Sequence, residues 1–191
     1  MSKGRLEAFS DGVIAILITI MVLDLRVPEQ TDLEALRPLV PVFISYVLSF
    51  VNLGIYWNNH HHLLQAATVV DGRVLWANLF LLFWLSLFPF ATAWMGQDGF
   101  ASVPTAIYGC VLLAAAFAYT LLVRTLRAVP GQSETIGHAS GTDRKGYASL
   151  AIYASAIVVA MVAPLVAFAM YVVVAIIWFI PDRGVERALG R

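Results

Sequence analysis

The sequence is poor in charge and has a single cysteine. Of its 191 residues only 13% are charged, the formal net charge is zero, and 60% are hydrophobic. Soluble domains are usually about half apolar and about a quarter charged. A water-soluble fold of this length could not hide so much apolar surface. A mean hydropathy of +0.81 therefore indicates an all-α integral membrane protein.

These scarcities also exclude several classes of function. Without net charge or a basic stripe, the chain is not expected to bind nucleic acid. Cys110 has no second cysteine with which to form a disulfide. No serine–histidine–acid triad or pair of carboxylates points to hydrolysis, so we predict neither an enzyme nor a bound cofactor.

Long apolar runs predict six membrane spans, because a spanning helix needs about 20 mostly apolar residues. The predicted spans are residues 6–25, 42–64, 74–94, 103–123, 147–163 and 165–180. The first is the weakest, since Ser10 and Asp11 lie within its inner end. Pro164 favours two short helices in the last region, with one kinked helix as the alternative.

Charge decides between these two topologies. Six spans collect most of the basic residues on one side of the membrane: Lys3, Arg5, Arg73, Arg124, Arg127, Arg144, Lys145, Arg183, Arg187 and Arg191. Only Arg26 and Arg37 fall on the other side, whereas five spans would spoil the asymmetry. Because cytoplasmic loops carry the excess of Lys and Arg, both termini are predicted to be cytoplasmic.

Two polar clusters interrupt the apolar spans. One opens the first helix, at Arg5, Phe9, Ser10, Asp11 and Gly12, and the other ends the second helix, at Trp57, Asn58, Asn59, His60, His61 and His62. Both lie at the same depth, because the second helix returns to the side from which the first one enters. An unpaired carboxylate would be costly there, so we expect Asp11 to pair with Arg5 or with His60 or His61.

The three consecutive histidines do not predict a metal site. On a helix they point about 100° apart and cannot converge on one ion. One histidine with Asp11 and a second subunit would be needed for a site. A structural hydrogen-bond network is the favoured interpretation of these polar residues.

The opening of the chain resembles a known family. Arg5-x-x-x-Phe9-Ser10-Asp11-Gly12, then Val13-x-Ala15-Ile16-x-x-Thr19 and Leu23-x-Leu25, is similar to the signature of the transmembrane protein 175 family. Trp57-x-x-His60-His61 and Pro89-Phe90-x-Thr92 are similar to it as well. The family comprises endosomal and lysosomal potassium channels and their prokaryotic relatives.

The resemblance implies a modestly selective potassium channel without a carbonyl-lined filter, and the sequence contains no TVGYG-like segment. It implies a homotetramer of six-helix subunits in which the first helix of each lines the pore. Carried onto this chain, the narrow apolar positions are Ile16, Ile20 and Leu23, with Thr19 supplying a hydroxyl. Animal relatives carry two six-helix units, so one unit implies the plasma membrane of a prokaryote.

Helical periodicity gives an independent test of these pore positions. At about 100° per residue, Ile20 lies about 40° from Ile16, Leu23 about 20° and Thr19 about 60°, on one face. Asp11 lies about 140° away, on the back of the helix. Periodicity alone would favour ordinary packing for this face, and the resemblance reverses that preference.

Two other functions compete with a channel. A proton-coupled secondary transporter would use Asp11 and His60 or His61 as a relay, but neither repeated halves nor broken mid-membrane helices are evident. The third possibility is a structural membrane protein without transport activity.

Overall fold

The computed structural model describes residues 2–28, 31–139 and 143–179, and within these ranges the protein is helical, without β-strands. The helices are α1 (Lys3–Ile20), α2 (Val40–Ala66), α3 (Gly72–Ser86), α4 (Phe88–Gln97), α5 (Ser102–Arg127), α6 (Ser133–Ala139), α7 (Asp143–Ala160) and α8 (Pro164–Phe179). Two short 3₁₀ helices, Met21–Asp24 and Leu33–Leu39, follow α1 and precede α2.

The region of the predicted third span, residues 74–94, is built from two consecutive helices. α3 ends at Ser86 and α4 begins at Phe88, with Leu87 at the junction. Pro89 lies in the first turn of α4, where its missing N–H costs nothing. A new helix thus begins beside the proline, and the candidate span runs over both helices from Gly72 to Gln97.

The region around Pro164 forms two antiparallel helices. α7 ends at Ala160 and α8 begins at Pro164. The indole nitrogen of Trp178 donates a hydrogen bond to Ser149 Oγ at 2.8 Å, and the rings of Tyr153 and Tyr171 lie 6.2 Å apart. Because late α8 residues contact early α7 residues, the chain reverses at the proline rather than kinking.

Contacts between helix ends define one end of the bundle, which we name the basic end. Lys3 Nζ donates to the carbonyl of Gln65 at 2.9 Å, joining the start of α1 to the end of α2. Gln132 Oε1 accepts from the backbone N–H of Thr68 at 3.0 Å, joining the α2–α3 connection to the segment after α5.

The described basic residues at this end are Lys3, Arg5, Arg73, Arg124, Arg127, Arg144 and Lys145. Arg26 and Arg37 lie beyond the opposite helix ends. Arg183, Arg187 and Arg191, which also entered the charge argument, lie outside the described residues. The segregation is the one that the positive-inside rule requires, and the orientation of the termini stays a prediction.

Within the described residues, four helical segments are long and apolar enough to cross a membrane, and the chain is a multi-pass membrane protein. They are Lys3–Asp24, Leu33–Ala66, Gly72–Gln97 and Ser102–Arg127. α8 is apolar but has only 16 residues, and α7 begins with charged residues. Their membrane crossing as fifth and sixth spans therefore stays a prediction.

Candidate pore-lining site

One face of α1 is apolar and uncovered in the single chain. Ile16 is 62% exposed and Leu23, in the 3₁₀ turn that follows, is 76% exposed; Ile20 is also exposed. Exposed apolar residues on adjacent turns form a continuous stripe. The residues predicted to line a pore are thus brought together on one surface.

Thr19 lies beside this stripe and adds its only hydroxyl. Thr19 Oγ1 is within hydrogen-bond distance of the carbonyls of Ala15 and Ile16, both at 3.0 Å. A hydroxyl has one hydrogen to donate and two lone pairs to accept with. The hydrogen is directed back to the helix, and the Thr19 side chain is exposed beside the stripe.

The opposite face of α1 packs against the rest of the subunit. The buried residues on it are Leu6, Ser10, Ile14 and Leu17, followed by Met21 in the 3₁₀ turn. Their spacing of three and four residues is that of one helical face. α1 is therefore fixed by one side and leaves the other available to a different molecule or to a pore.

A buried hydrogen-bond chain anchors α1 to α2 and α3. Ser10 Oγ donates to the carbonyl of Leu6 at 2.9 Å and accepts from Asn78 Nδ2 at 2.9 Å. Asn78 Oδ1 lies 2.7 Å from His60 Nε2. Since the amide oxygen can only accept, the imidazole hydrogen is on Nε2. Three fully buried polar side chains are thus linked in series, while His60 Nδ1 has no hydrogen-bond partner among the described residues.

Asn78 was missed by the sequence reasoning. It is an amide within the apolar run of α3 and is fully buried. A polar residue inside a membrane helix is expensive and is expected to have a partner. A single amide within an otherwise apolar run of the sequence was the signal that could have identified Asn78.

Asp11 has an indole as its hydrogen-bond partner rather than Arg5 or a histidine. Asp11 Oδ1 accepts a hydrogen bond from Trp57 Nε1 at 3.0 Å. Arg5 is exposed, and among the described residues no ion pair joins it to Asp11. His60 bonds to Asn78 instead. Trp57 had been placed in the polar cluster, but its indole N–H had not been considered as the donor.

His61 has a different acidic neighbour, which the sequence reasoning also missed. Its Nδ1 lies 3.4 Å from Glu7 Oε1, and its ring stacks on Trp57 with centroids 5.9 Å apart. Glu7 precedes Asp11 by one helical turn, so both carboxylates reach the same part of α2. That i, i+4 spacing was the available signal.

The potential ligand atoms of Glu7, Asp11 and His61 all lie within 4.8 Å of one another. Each of these side chains already has a polar or ionic partner in the protein. The cluster ties the first turns of α1 to the end of α2.

A second buried polar group contains Thr92 of the Pro89-Phe90-x-Thr92 motif. Ser49 Oγ lies 2.6 Å from Thr92 Oγ1 and 2.9 Å from the hydroxyl of Tyr108. All three are buried. This part of the motif therefore holds α2, α4 and α5 together rather than facing the α1 stripe.

Comparison with known proteins places these features in context. The family model described as "Endosomal/lysosomal potassium channel TMEM175" matches residues 5–89. A protein named as a potassium channel from Chryseobacterium sp. is 49% identical over 189 residues, covering 99% of this chain and 98% of that protein. Another named so, from Streptomyces collinus, is 37% identical over 128 residues, covering 63% of this chain and 62% of its own length.

The fold is also similar to a solved structure. The crystal structure of a lysosomal potassium-selective channel TMEM175 homolog from Chamaesiphon minutus matches with a TM-score of 0.81 and 25% sequence identity. The match covers 93% of this chain and 96% of that one. The similarity therefore extends through α7 and α8, beyond the residues that the family model matches.

Proposed function

The chain belongs to the TMEM175 family, and from this premise we propose that it is a potassium channel whose pore is lined by α1 of four identical subunits. The observation that carries the proposal is the exposed stripe of Ile16, Ile20 and Leu23 on a helix whose other face is buried. A single copy leaves this apolar surface uncovered. Four copies around an axis would turn it inward.

Ile16 is the proposed narrowest ring, with Ile20 and Leu23 about one and two turns further along the pore. A ring of isoleucines cannot replace the hydration shell of an ion, so a closed ring dewets and blocks conduction. Opening requires the α1 helices to tilt or rotate outward. The pore needs no catalytic group and no cofactor; its ligand is the permeant potassium ion.

Selectivity in such a pore comes from dehydration. Potassium is larger than sodium and sheds water at lower cost, so an apolar constriction favours it modestly. The hydroxyl of Thr19 supplies the side-chain oxygen beside the stripe, and its lone pairs would partly compensate for the lost water. The proposed channel therefore discriminates less than a filter lined with carbonyl rings.

A proton-coupled transporter is not favoured. The relay would have to run through Asp11 and His60 or His61. Asp11 is held by Trp57, and His60 is buried against Asn78. These partners suit a fixed anchor for α1 better than a group that exchanges protons with both sides of the membrane.

Reconstitution of the purified protein under opposed potassium and sodium gradients tests the proposal. Discrete current steps with a reversal potential on the potassium side are expected in a planar bilayer. Saturable, proton-coupled uptake without steps would instead establish a transporter. The absence of both activities in correctly assembled protein would favour a structural role.

A further inference from the structure

A cavity of about 110 Å³ lies near the basic end, away from the α1 stripe. Its walls come from α2, α5, α7 and α8. The inner part of the cavity is apolar or aromatic, with walls formed by Ile55, Tyr56, Val123 and Tyr153. None of the residues proposed to line the pore contributes to it.

Two polar side chains of the cavity wall are already bonded to the protein. Trp178 Nε1 donates to Ser149 Oγ at 2.8 Å, and the Tyr119 hydroxyl donates to the carbonyl of Asn59 at 3.3 Å. A ligand part that enters the cavity meets mainly aromatic rings and methyl groups. The inner wall suits an apolar group.

The mouth of the cavity is positively charged. Arg124 and Arg127 lie one turn apart at the end of α5, and both line the cavity. Arg124 Nη2 donates to the hydroxyl of Tyr147 at 2.7 Å, which holds the guanidinium at the rim. Among the described residues that line the cavity, none is acidic. The mouth therefore suits an anion.

We propose that this cavity binds an anionic phospholipid, with the phosphate at Arg124 and Arg127 and the adjoining apolar part against Tyr56 and Tyr153. Guanidinium groups match phosphate oxygens in geometry and charge. Basic pockets between membrane helices on the cytoplasmic side are suited to acidic headgroups. The assignment to the inner leaflet rests on the proposed orientation, but not on potassium conduction.

The size of the cavity limits what enters it. An apolar cavity of about 150 Å³ holds a benzene molecule, so one of about 110 Å³ holds only a short segment. The glycerol ester or the first methylenes of one chain fit this volume. The rest of the lipid stays in the leaflet, and a soluble phosphate without an apolar part would lack the contacts with the inner wall.

Native mass spectrometry of the purified full chain measures the proposed binding, with phosphatidylglycerol and phosphatidylcholine as probes. We expect phosphatidylglycerol to be retained preferentially. A juxtamembrane Lys or Arg contributes about 1 kcal/mol to acidic-lipid binding, or about fivefold in affinity. Arg124→Gln and Arg127→Gln should therefore each weaken phosphatidylglycerol binding about fivefold.

Arg73→Gln is the matched control. Arg73 is exposed at the same end of the bundle but does not line the cavity, so its loss should leave phosphatidylglycerol binding unchanged. Arg124→Lys guards against a folding artefact, since it keeps the charge and should retain more binding than Arg124→Gln. Equal binding of the two lipids, or equal losses in the Arg73 and Arg124 variants, would overturn the proposal.

Glycerol 3-phosphate separates a lipid from a soluble source of phosphate. Millimolar glycerol 3-phosphate should not displace bound phosphatidylglycerol, because it lacks the apolar part. Displacement that depends on Arg124 would assign the cavity to a soluble organic phosphate and refute the lipid. Potassium conduction by the binding-deficient variants is measured separately. A failure of the lipid-binding proposal would therefore leave the channel proposal intact.

Discussion

Ile16 and Leu17 are neighbours in the chain with opposite surroundings. Ile16 is 62% exposed, whereas Leu17 is 8% exposed and packs on the subunit core. Ile16→Asn should place amides where an apolar ring excludes water, so that the constriction stays wet. A barrier lowered by about 1.4 kcal/mol raises the ion flux about tenfold. We expect larger single-channel current and weaker potassium-over-sodium discrimination, measured from reversal potentials.

Leu17→Asn is the control for this substitution, because it adds the same amide to the same helix. It would bury a polar group without a partner and should reduce the yield of folded protein. An Ile16→Asn channel with unchanged conductance and unchanged discrimination would show that α1 does not form the narrow part of the pore.

Asp11 gives a prediction about assembly rather than permeation. Its carboxylate accepts from Trp57 and lies on the side of α1 away from the stripe. Asp11→Ala should cost about 1.5–3 kcal/mol, the usual range for a hydrogen bond to a charged group. We expect a smaller tetramer fraction in size-exclusion chromatography, with unaltered ion preference in the channels that remain.

Asp11→Asn and Trp57→Phe resolve the origin of that effect. Asn keeps an acceptor and should rescue much of the assembly, whereas Phe removes the donor and should reproduce the Ala variant. Normal assembly of Asp11→Ala together with a changed ion preference would mean that Asp11 faces the pore.

At the residue scale, the sequence indicated which residues share a helix face better than it indicated which side chains form hydrogen bonds with one another. The stripe positions came from the family resemblance, and periodicity put them on one face because a regular helix fixes the direction of each side chain. The bonds of Asp11 and His60 did not follow, because they depend on the relative rotation of α1, α2 and α3. Trp57 and Asn78 reach these groups only once that rotation is set.

Helix packing supplies a prediction at the element scale. At Gly109 of α5, an added Cβ would clash with the phenol of Tyr171 on α8. That hydroxyl also donates to the carbonyl of Thr105 at 3.1 Å. Gly109→Ala should therefore push α8 from α5 and cost about 1–3 kcal/mol, as overpacking usually does. A lower melting temperature in detergent checks this.

Gly54→Ala on α2 is the matched control. An added Cβ there has no neighbour within 4 Å, and alanine is the better helix former by about 0.5–1 kcal/mol. The melting temperature should stay the same or rise. Equal behaviour of the two variants would mean that α8 does not press on α5 at Gly109.

The element boundaries show where sequence reasoning succeeds and fails. Apolar length located α2 and α5 to within a few residues because both are long and uninterrupted. Pro164 was weighed and separates α7 from α8, whereas Pro89 was not weighed and separates α3 from α4. A proline breaks or bends a helix according to its neighbours' packing, which the apolar pattern does not contain.

The whole molecule must be an oligomer if the stripe is to enclose a pore. One α1 cannot surround an axis, and its exposed apolar face has no cover within the described subunit. Identical subunits meeting head to tail close into a ring when the rotation between them closes. We expect native mass measurement in detergent to give four times the 20.9 kDa of one chain.

Channels assembled from two kinds of chain test whether the tetramer measured by mass is also the conducting unit. Wild-type and Ile16→Asn chains, purified together through different tags, should give channels with conductances between those of the two pure forms, because each copy contributes one residue to the ring. A pore formed within one subunit would give only the two parental conductances, whatever the mass in detergent. A stable monomer or dimer that conducts would likewise refute the tetramer. Intermediate levels together with a tetrameric mass would place the Ile16 ring on the axis shared by the four copies.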